Sequence, residues 1–180
     1  MTARALPTLI GVSVPRVEDD RMLSGAARYI DDIVLPGMLT MAVLRSGEAH
    51  ARIVSIDASP ALEVDGVVDA FTGSDFAQPL PRIPMRLMPR ESSLPFLQAP
   101  IATDKVRYVG EPMAVIVAEN RFAAEDGLEH VDIATDELPS IVTMDAAEAA
   151  SGDALSVSDA GSNVSARYTI GRGNADDAFA

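Results

Sequence analysis

The stretch Gly110-Glu111-Pro112-Met113-Ala114-Val115-Ile116-Val117-Ala118-Glu119-Asn120-Arg121-Phe122-Ala123-Ala124-Glu125-Asp126-Gly127-Leu128-Glu129-His130 carries the strongest structural signal in the chain. Gly110-Glu111-Pro112 predicts a turn. The unbroken apolar run behind it, Met113 to Glu119, predicts a strand in a sheet interior with both faces covered. Asn120 has the short amide side chain that accepts from the unpaired N–H groups of a helix start, so a capped helix is expected from Arg121 to His130. Phe122, Ala123 and Leu128 are available to its inward face. Gly127 weakens that helix by roughly 1 kcal/mol relative to alanine.

Working outward, Val131 to Asp136 predicts a further strand, stopped by Leu138-Pro139, and Lys105 to Tyr108 a short one. Upstream, Pro36-Gly37 marks a turn before an apolar strand over Met38 to Arg45, expected to be buried on both faces. Ala51 to Asp57 holds the β-branched residues Ile53, Val54 and Ile56 and predicts a second strand. Ser59-Pro60 fits an N-cap followed by proline at the first helical position, opening a one-turn helix to Val64. Gly66 ends it, and Val67 to Phe71 predicts a third strand. Downstream, Asp145 is expected to cap a short Ala/Glu helix ending at Gly152. The Ser, Gly, Asp and Ala of 151–163 predict a linker, and Val164 to Ile170 another strand, before a helix start at Ala175. Strands and helices in this order make an α/β (α+β) domain.

Composition narrows the function. The 180 residues (19.0 kDa) are 48% hydrophobic and 23% charged, enough apolar surface for one core and too much for wholesale disorder. The formal charge of -13 repels phosphate backbones and anionic lipid, so nucleic acid and membrane surfaces are poor partners. With no cysteine, the chain holds no disulfide, thiolate metal site or iron–sulfur ligand. No run of about 18 apolar residues is present to span a bilayer. Met1 to Pro15 is expected to be an extended arm without a cleavage site, and the compartment the cytoplasm.

Few residues suggest chemistry. His50 and His130 have no carboxylate and nucleophile context and are assigned structural or surface roles. The pairs Asp19-Asp20, Asp31-Asp32 and Asp176-Asp177 diverge in direction and are expected to be solvated charge. Gly171-Arg172-Gly173 lacks the third glycine of a dinucleotide loop. The exception is Gln78 to Pro100, where six prolines interrupt Met85, Leu87, Met88, Leu94, Phe96 and Leu97. Each proline removes a donor and biases its predecessor away from helix, so no regular element is expected. Long apolar loops in compact domains line sites or form lids. For Met85 and Met88 both gap filling and a site role fit. Arg82, Arg86 and Arg90 recur every four residues and either steer anions or keep the loop soluble, the second being favoured by the overall acidity.

Taken together, several strings resemble one family. They are Gly11-Val12-Ser13-Val14-Pro15-Arg16-Val17-Glu18-Asp19, Leu23-Ser24-Gly25, Tyr29 to Leu39, Arg45-Ser46, Ala49-His50-Ala51-Arg52-Ile53 and Gly66-Val67-Val68. Asp104 to Pro112, Ala123-Ala124-Glu125-Asp126, Glu137-Leu138-Pro139 and Ala178-Phe179-Ala180 continue the match in order. The chain is similar throughout to the opening of the molybdopterin-binding large subunit of the xanthine dehydrogenase, aldehyde oxidase and carbon monoxide dehydrogenase family. It departs from the family pattern at Gly127, where alanine is common, and at Ala134-Thr135.

The resemblance implies an extended arm over 1–24, an α/β hammerhead domain over 25–142 and a short helix and linker over 143–163. It implies that 164–180 is the first strand and helix start of the molybdenum-cofactor domain. It further implies an oxidoreductase acting on aldehydes, N-heterocycles or carbon monoxide, of which this chain is a catalytically incomplete part, either a separate subunit or a fragment. No catalytic, cofactor-binding or metal residue is expected within it. The molybdopterin-molybdenum cofactor would sit in the remaining large-subunit chain, with iron–sulfur clusters and FAD in partner chains. Met85, Leu87, Met88, Leu94 and Phe96 are the substrate-channel candidates. A non-catalytic assembly module that keeps the hammerhead fold is the alternative.

Overall fold

The computed structural model describes residues 10–87, 90–174 and 179. Residues 1–9 of the expected arm, Met88, Pro89 and the helix start at Ala175 lie outside them. The chain divides between Met38 and Leu39 into two compact units.

In the first unit none of the described residues is buried. The arm is not extended to its end: α1 (Asp19–Leu23) forms one helical turn. Its acidic start suits the partial positive charge of a helix N-terminus, and Ser24 Oγ donates to the Asp20 carbonyl at its end (2.6 Å). A short 3₁₀ turn, Ile30–Asp32, follows, with the Asp32 carboxylate accepting from the Tyr29 N–H at 2.8 Å.

Among its described residues the second unit holds six strands: β1 (Thr40–Arg45), β2 (Ala51–Asp57), β3 (Val67–Thr72), β4 (Lys105–Val106), β5 (Pro112–Ala118) and β6 (Asp132–Glu137). They form two three-stranded antiparallel sheets, ordered β1-β5-β3 and β4-β2-β6. In the first, Ile116 is paired with Ala42 on one side and Ala70 on the other. Helix α2 (Arg121–Leu128) lies on this sheet, capped as expected by the Asn120 side-chain Oδ1 accepting from Ala123 N–H.

The helix approaches closely because Gly127 has no Cβ; one built there would meet Ile116 Cγ2 at 2.8 Å and Val67 Cγ2 at 3.1 Å. Both are methyls on stiff β-branched side chains that cannot easily turn away. Gly127 therefore gives up helix propensity for helix-to-sheet proximity. Ala118, Ala123 and Ala124 complete this cluster, while Ala51, Ala102, Val106 and Met113 form a second one with Ile53 and Ile56 against it.

Several expectations are corrected. Beyond Met113, β5 is buried on one face only: Ala114, Ile116 and Ala118 are fully covered, and Val115 and Val117 are half-buried. β1 is likewise half-buried, with Met41 63% exposed. Phe122 is 78% exposed, because the buried stripe of α2 runs through positions 123, 124 and 127. That helix ends at Leu128, where His130 Nδ1 donates to the Asp126 carbonyl.

The caps shift as well. Ser59 is not an N-cap: its N–H and hydroxyl both donate to Asp57, and the 3₁₀ turn Ser59–Glu63 starts after Ala58. α3 (Met144–Ala149) is capped by Thr143 rather than Asp145, the Thr143 hydroxyl oxygen accepting from Ala146 N–H. Residues 164–170 make no strand, since no described strand pairs with them.

Candidate functional site

The proline-rich loop leaves the first sheet through Gly73 and Gln78, whose amide donates to the Gly73 carbonyl at 2.8 Å. A Cβ on Gly73 would stand 2.5 Å from Thr103 Cγ2 and 2.8 Å from the Ala102 carbonyl oxygen, so the outgoing and returning chains meet where only glycine fits. The loop is then pinched shut. Ile83 N–H donates to the Gln98 carbonyl (2.8 Å), and Arg82 Nη1 to the Leu97 carbonyl (2.7 Å). Beyond this base a regular element does run, contrary to expectation: Glu91–Phe96 is a 3₁₀ helix with Pro95 inside it. The bonds that tie its two ends, from Ser93 N–H to the Arg90 carbonyl and from Leu97 N–H to the Leu94 carbonyl, do not use the missing donor at 95.

Between the two arms of this lobe lies a mostly apolar cleft of about 160 Å³, lined by Pro84, Met85, Arg90, Ser93, Leu94 and Leu97. Of the channel candidates, the fold brings Met85 and Leu94 together here. Leu87 is 82% exposed and outside the cleft, Phe96 is half-buried and outside it, and Met88 lies beyond the described residues. Ser93, 7% exposed, carries no sequence signal for a site, and Arg90 stood out only through the regular arginine spacing. Two of the three regular arginines have structural partners: Arg82 closes the base, and the Arg90 guanidinium sits 4.7 Å above the Tyr168 ring centre.

Below the lobe, Arg107 gathers five acceptors. Its Nη2 meets Asp104 (2.9 Å), its Nη1 the Lys105 carbonyl (2.8 Å) and Glu111 Oε1 (3.3 Å), and its Nε the Ser156 carbonyl (3.0 Å), while its backbone N–H donates to Glu111 Oε2 (2.5 Å). The Arg107 side chain is 18% exposed and that of Glu111 5%. Lys105 Nζ donates to the Leu155 carbonyl (3.2 Å), and Asn163 bridges Ser156 N–H and the Ala154 carbonyl. The 151–163 segment, expected as a linker, is thus tied down by Lys105 and Arg107.

The two carboxyls beside Arg107 are displaced in opposite directions. Burial pushes Glu111 above its usual 4.5 more strongly than the Arg107 N–H groups and charge pull it down. Desolvation also acts upward on Asp104, but the charge and hydrogen bond of Arg107, with the N–H groups of Lys105 and Asp104 itself, hold it below 3.8. By linkage, Glu111 contributes stability that is present below its unfolded value and lost as pH rises through its folded one. Asp104 contributes stability that is present above its unfolded value and lost as pH falls through its folded one. Urea midpoints between about pH 4 and 7.5 should show Glu111→Gln gaining on the parent as pH rises. Below about pH 4, where the depressed Asp104 begins to take up its proton, Asp104→Asn should gain on the parent as pH falls. Parallel curves for all three proteins would refute this assignment.

A larger cavity of about 400 Å³ has Ala49, His50, Tyr108, Val109, Ile141 and Asn163 among its walls. His50 is buried and its Nδ1 donates to the Pro139 carbonyl at 2.9 Å, a structural bond as expected. No three His, Cys, Asp or Glu side chains among the described residues converge as a metal-ligand set. The side chains present do not fit a metal centre, and none is assigned to one. No described helix is long and apolar enough to cross a membrane.

Two small antiparallel sheets with one helix packed on the first define a mixed α/β domain of hammerhead type. Residues 24–139 match the family model for the aldehyde oxidase and xanthine dehydrogenase a/b hammerhead domain. The chain is 36% identical over 171 residues to the nicotine 6-hydroxylase large subunit of Paenarthrobacter nicotinovorans, covering 95% of this chain and 21% of that one. It is 33% identical over 164 residues to the xanthine dehydrogenase molybdenum-binding subunit of Escherichia coli O157:H7, covering 88% and 21%. The solved structure of quinoline 2-oxidoreductase from Pseudomonas putida 86 superposes with a TM-score of 0.64 at 41% identity, covering 77% of this chain and 17% of that one. The chain belongs to the aldehyde oxidase and xanthine dehydrogenase family, in which it corresponds to the hammerhead domain of the large subunit. It spans about a fifth of the length of these curated relatives.

Proposed function

We propose that this chain works as the hammerhead portion of a molybdenum hydroxylase large subunit and that the lobe between Ile83 and Gln98 forms part of the substrate-channel wall. The observation that carries this reading is the apolar cleft between the lobe's arms, held by a backbone-bonded base. Apolar clefts with a few placed polar groups are the usual form of a small-molecule contact surface. The partners are the remaining large-subunit chain and the iron–sulfur and flavin subunits, and 164–180 leads into the cofactor-bearing domain. When bound there, the molybdenum cofactor supplies oxygen insertion at an aldehyde, N-heterocycle or carbon monoxide carbon. This chain's own residues guide the approach: Met85 and Leu94 offer apolar contact, and the closed base keeps their spacing.

Metal analysis of the co-purified complex should find molybdenum and iron; a solitary metal-free protein would favour an assembly module. In the reconstituted enzyme, Met85→Ala with Leu94→Ala should change the Michaelis constant for apolar substrates by about three- to tenfold, the scale of lost methylene contacts in a pocket. Leu87→Ala, outside the cleft, should change it little. Unaltered kinetics for every substrate with normal assembly would remove the lobe from the channel.

A further inference from the structure

The two arms of the lobe are not held alike. Pro84 and Met85 lie next to the bonded base, whereas Arg90, Ser93 and Leu94 lie on the far arm, whose helical turn Glu91–Phe96 sits beside the 3₁₀ turn Ser158–Ala160. The Arg90 guanidinium stacks on the face of Tyr168. The neighbouring Arg167 forms an ion pair with Glu148 on α3. Further back, Lys105 and Arg107 hold the carbonyls of Leu155 and Ser156, and Asn163 ties its own stretch to 154–156. A continuous strap, 154–168, therefore runs from the buried ion pair beneath the second sheet to the outer arm of the cleft.

From this placement we infer that Tyr168, which is not itself a cleft residue, is a positioning residue that sets the width of the cleft through Arg90. The base bonds at 82–83 and 97–98 hold one end of the far arm. The stacked guanidinium fixes the other end, and with it the wall formed by Arg90, Ser93 and Leu94 opposite Met85. On the channel reading proposed above, the ligand selected is a small apolar molecule that fits between those walls, and release of the stack lets a bulkier one enter. Cation attraction to a ring face needs the π-system and not the hydroxyl, so phenylalanine replaces tyrosine and leucine does not. Tyr168 is 66% exposed, so neither change disturbs a core.

The test is amide hydrogen exchange in the 180-residue chain, and it does not depend on the channel reading, which kinetics test separately. The probes are Ser93 and Leu97, whose N–H groups donate to the carbonyls of Arg90 and Leu94 within the far arm. In Tyr168→Leu their exchange should quicken about two- to fivefold, the worth of an exposed cation–π contact, while Ile116 and Val117 in β5 keep their parent rates. Tyr168→Phe should restore the parent rates at Ser93 and Leu97. Unchanged rates in the leucine variant, equal acceleration in β5, or a phenylalanine variant as fast as the leucine one would each overturn the inference.

Discussion

Ile116→Asp should leave the chain unfolded at 25 °C, with loss of the cooperative urea transition and of the far-ultraviolet dichroism of the sheets. Ile116 is fully buried in the middle strand of the first sheet, paired on both sides, and in contact range of the α2 backbone at Gly127. The substitution loses about 2–3 kcal/mol of apolar burial and adds an unpaired carboxylate costing several more. A domain of this size has only about 5–15 kcal/mol to lose. Val117→Asp, one residue along, should cost markedly less, because Val117 is half-buried on the opposite face of the sheet and a carboxylate there keeps part of its water. Equal effects for the two variants would mean that β5 is covered on both faces.

Arg107→Met should cost about 3–5 kcal/mol, the penalty for stranding one member of a buried ion pair. Glu111 would keep its hydrogen bond from the backbone N–H of residue 107 but lose its counter-charge at 5% exposure, and the Ser156 carbonyl would lose its donor. The double variant Arg107→Met with Glu111→Gln should recover part of the loss, since the neutral amide keeps an oxygen for the residue 107 N–H and leaves no buried charge uncompensated. A double-mutant cycle from urea midpoints reads the coupling directly. A double variant no more stable than Arg107→Met would show that the arginine matters chiefly through Ser156 and Asp104.

Legibility in the sequence followed the range of the interaction. β2 and the Asn120 cap were readable because β-branched clustering and an amide before a helix act within a few residues. Which face of β5 is covered was not readable, because both parities of Met113 to Ala118 are apolar and the pattern contains no alternation to break the tie. The docking of 154–156 was invisible for another reason: it depends on Lys105 and Arg107 reaching carbonyls about fifty residues away, and any residue type offers a carbonyl. At the candidate site, the excess of apolar residues among prolines pointed to Met85 and Leu94. The same signal promoted Leu87, because composition does not say which way a side chain turns in an irregular loop.

The pinched base of the lobe makes its length a free variable. The chain enters and leaves through the Gly73 and Ala102–Thr103 crossing and is tied again at Ile83 and Gln98, so the sheets meet the same two anchor points whatever runs between them. Each doubling of a closed loop adds only about 0.6 kcal/mol of closure entropy. The segment can therefore change length without altering the hammerhead core of this chain, and an engineer can exchange it as a cassette between residues 83 and 98.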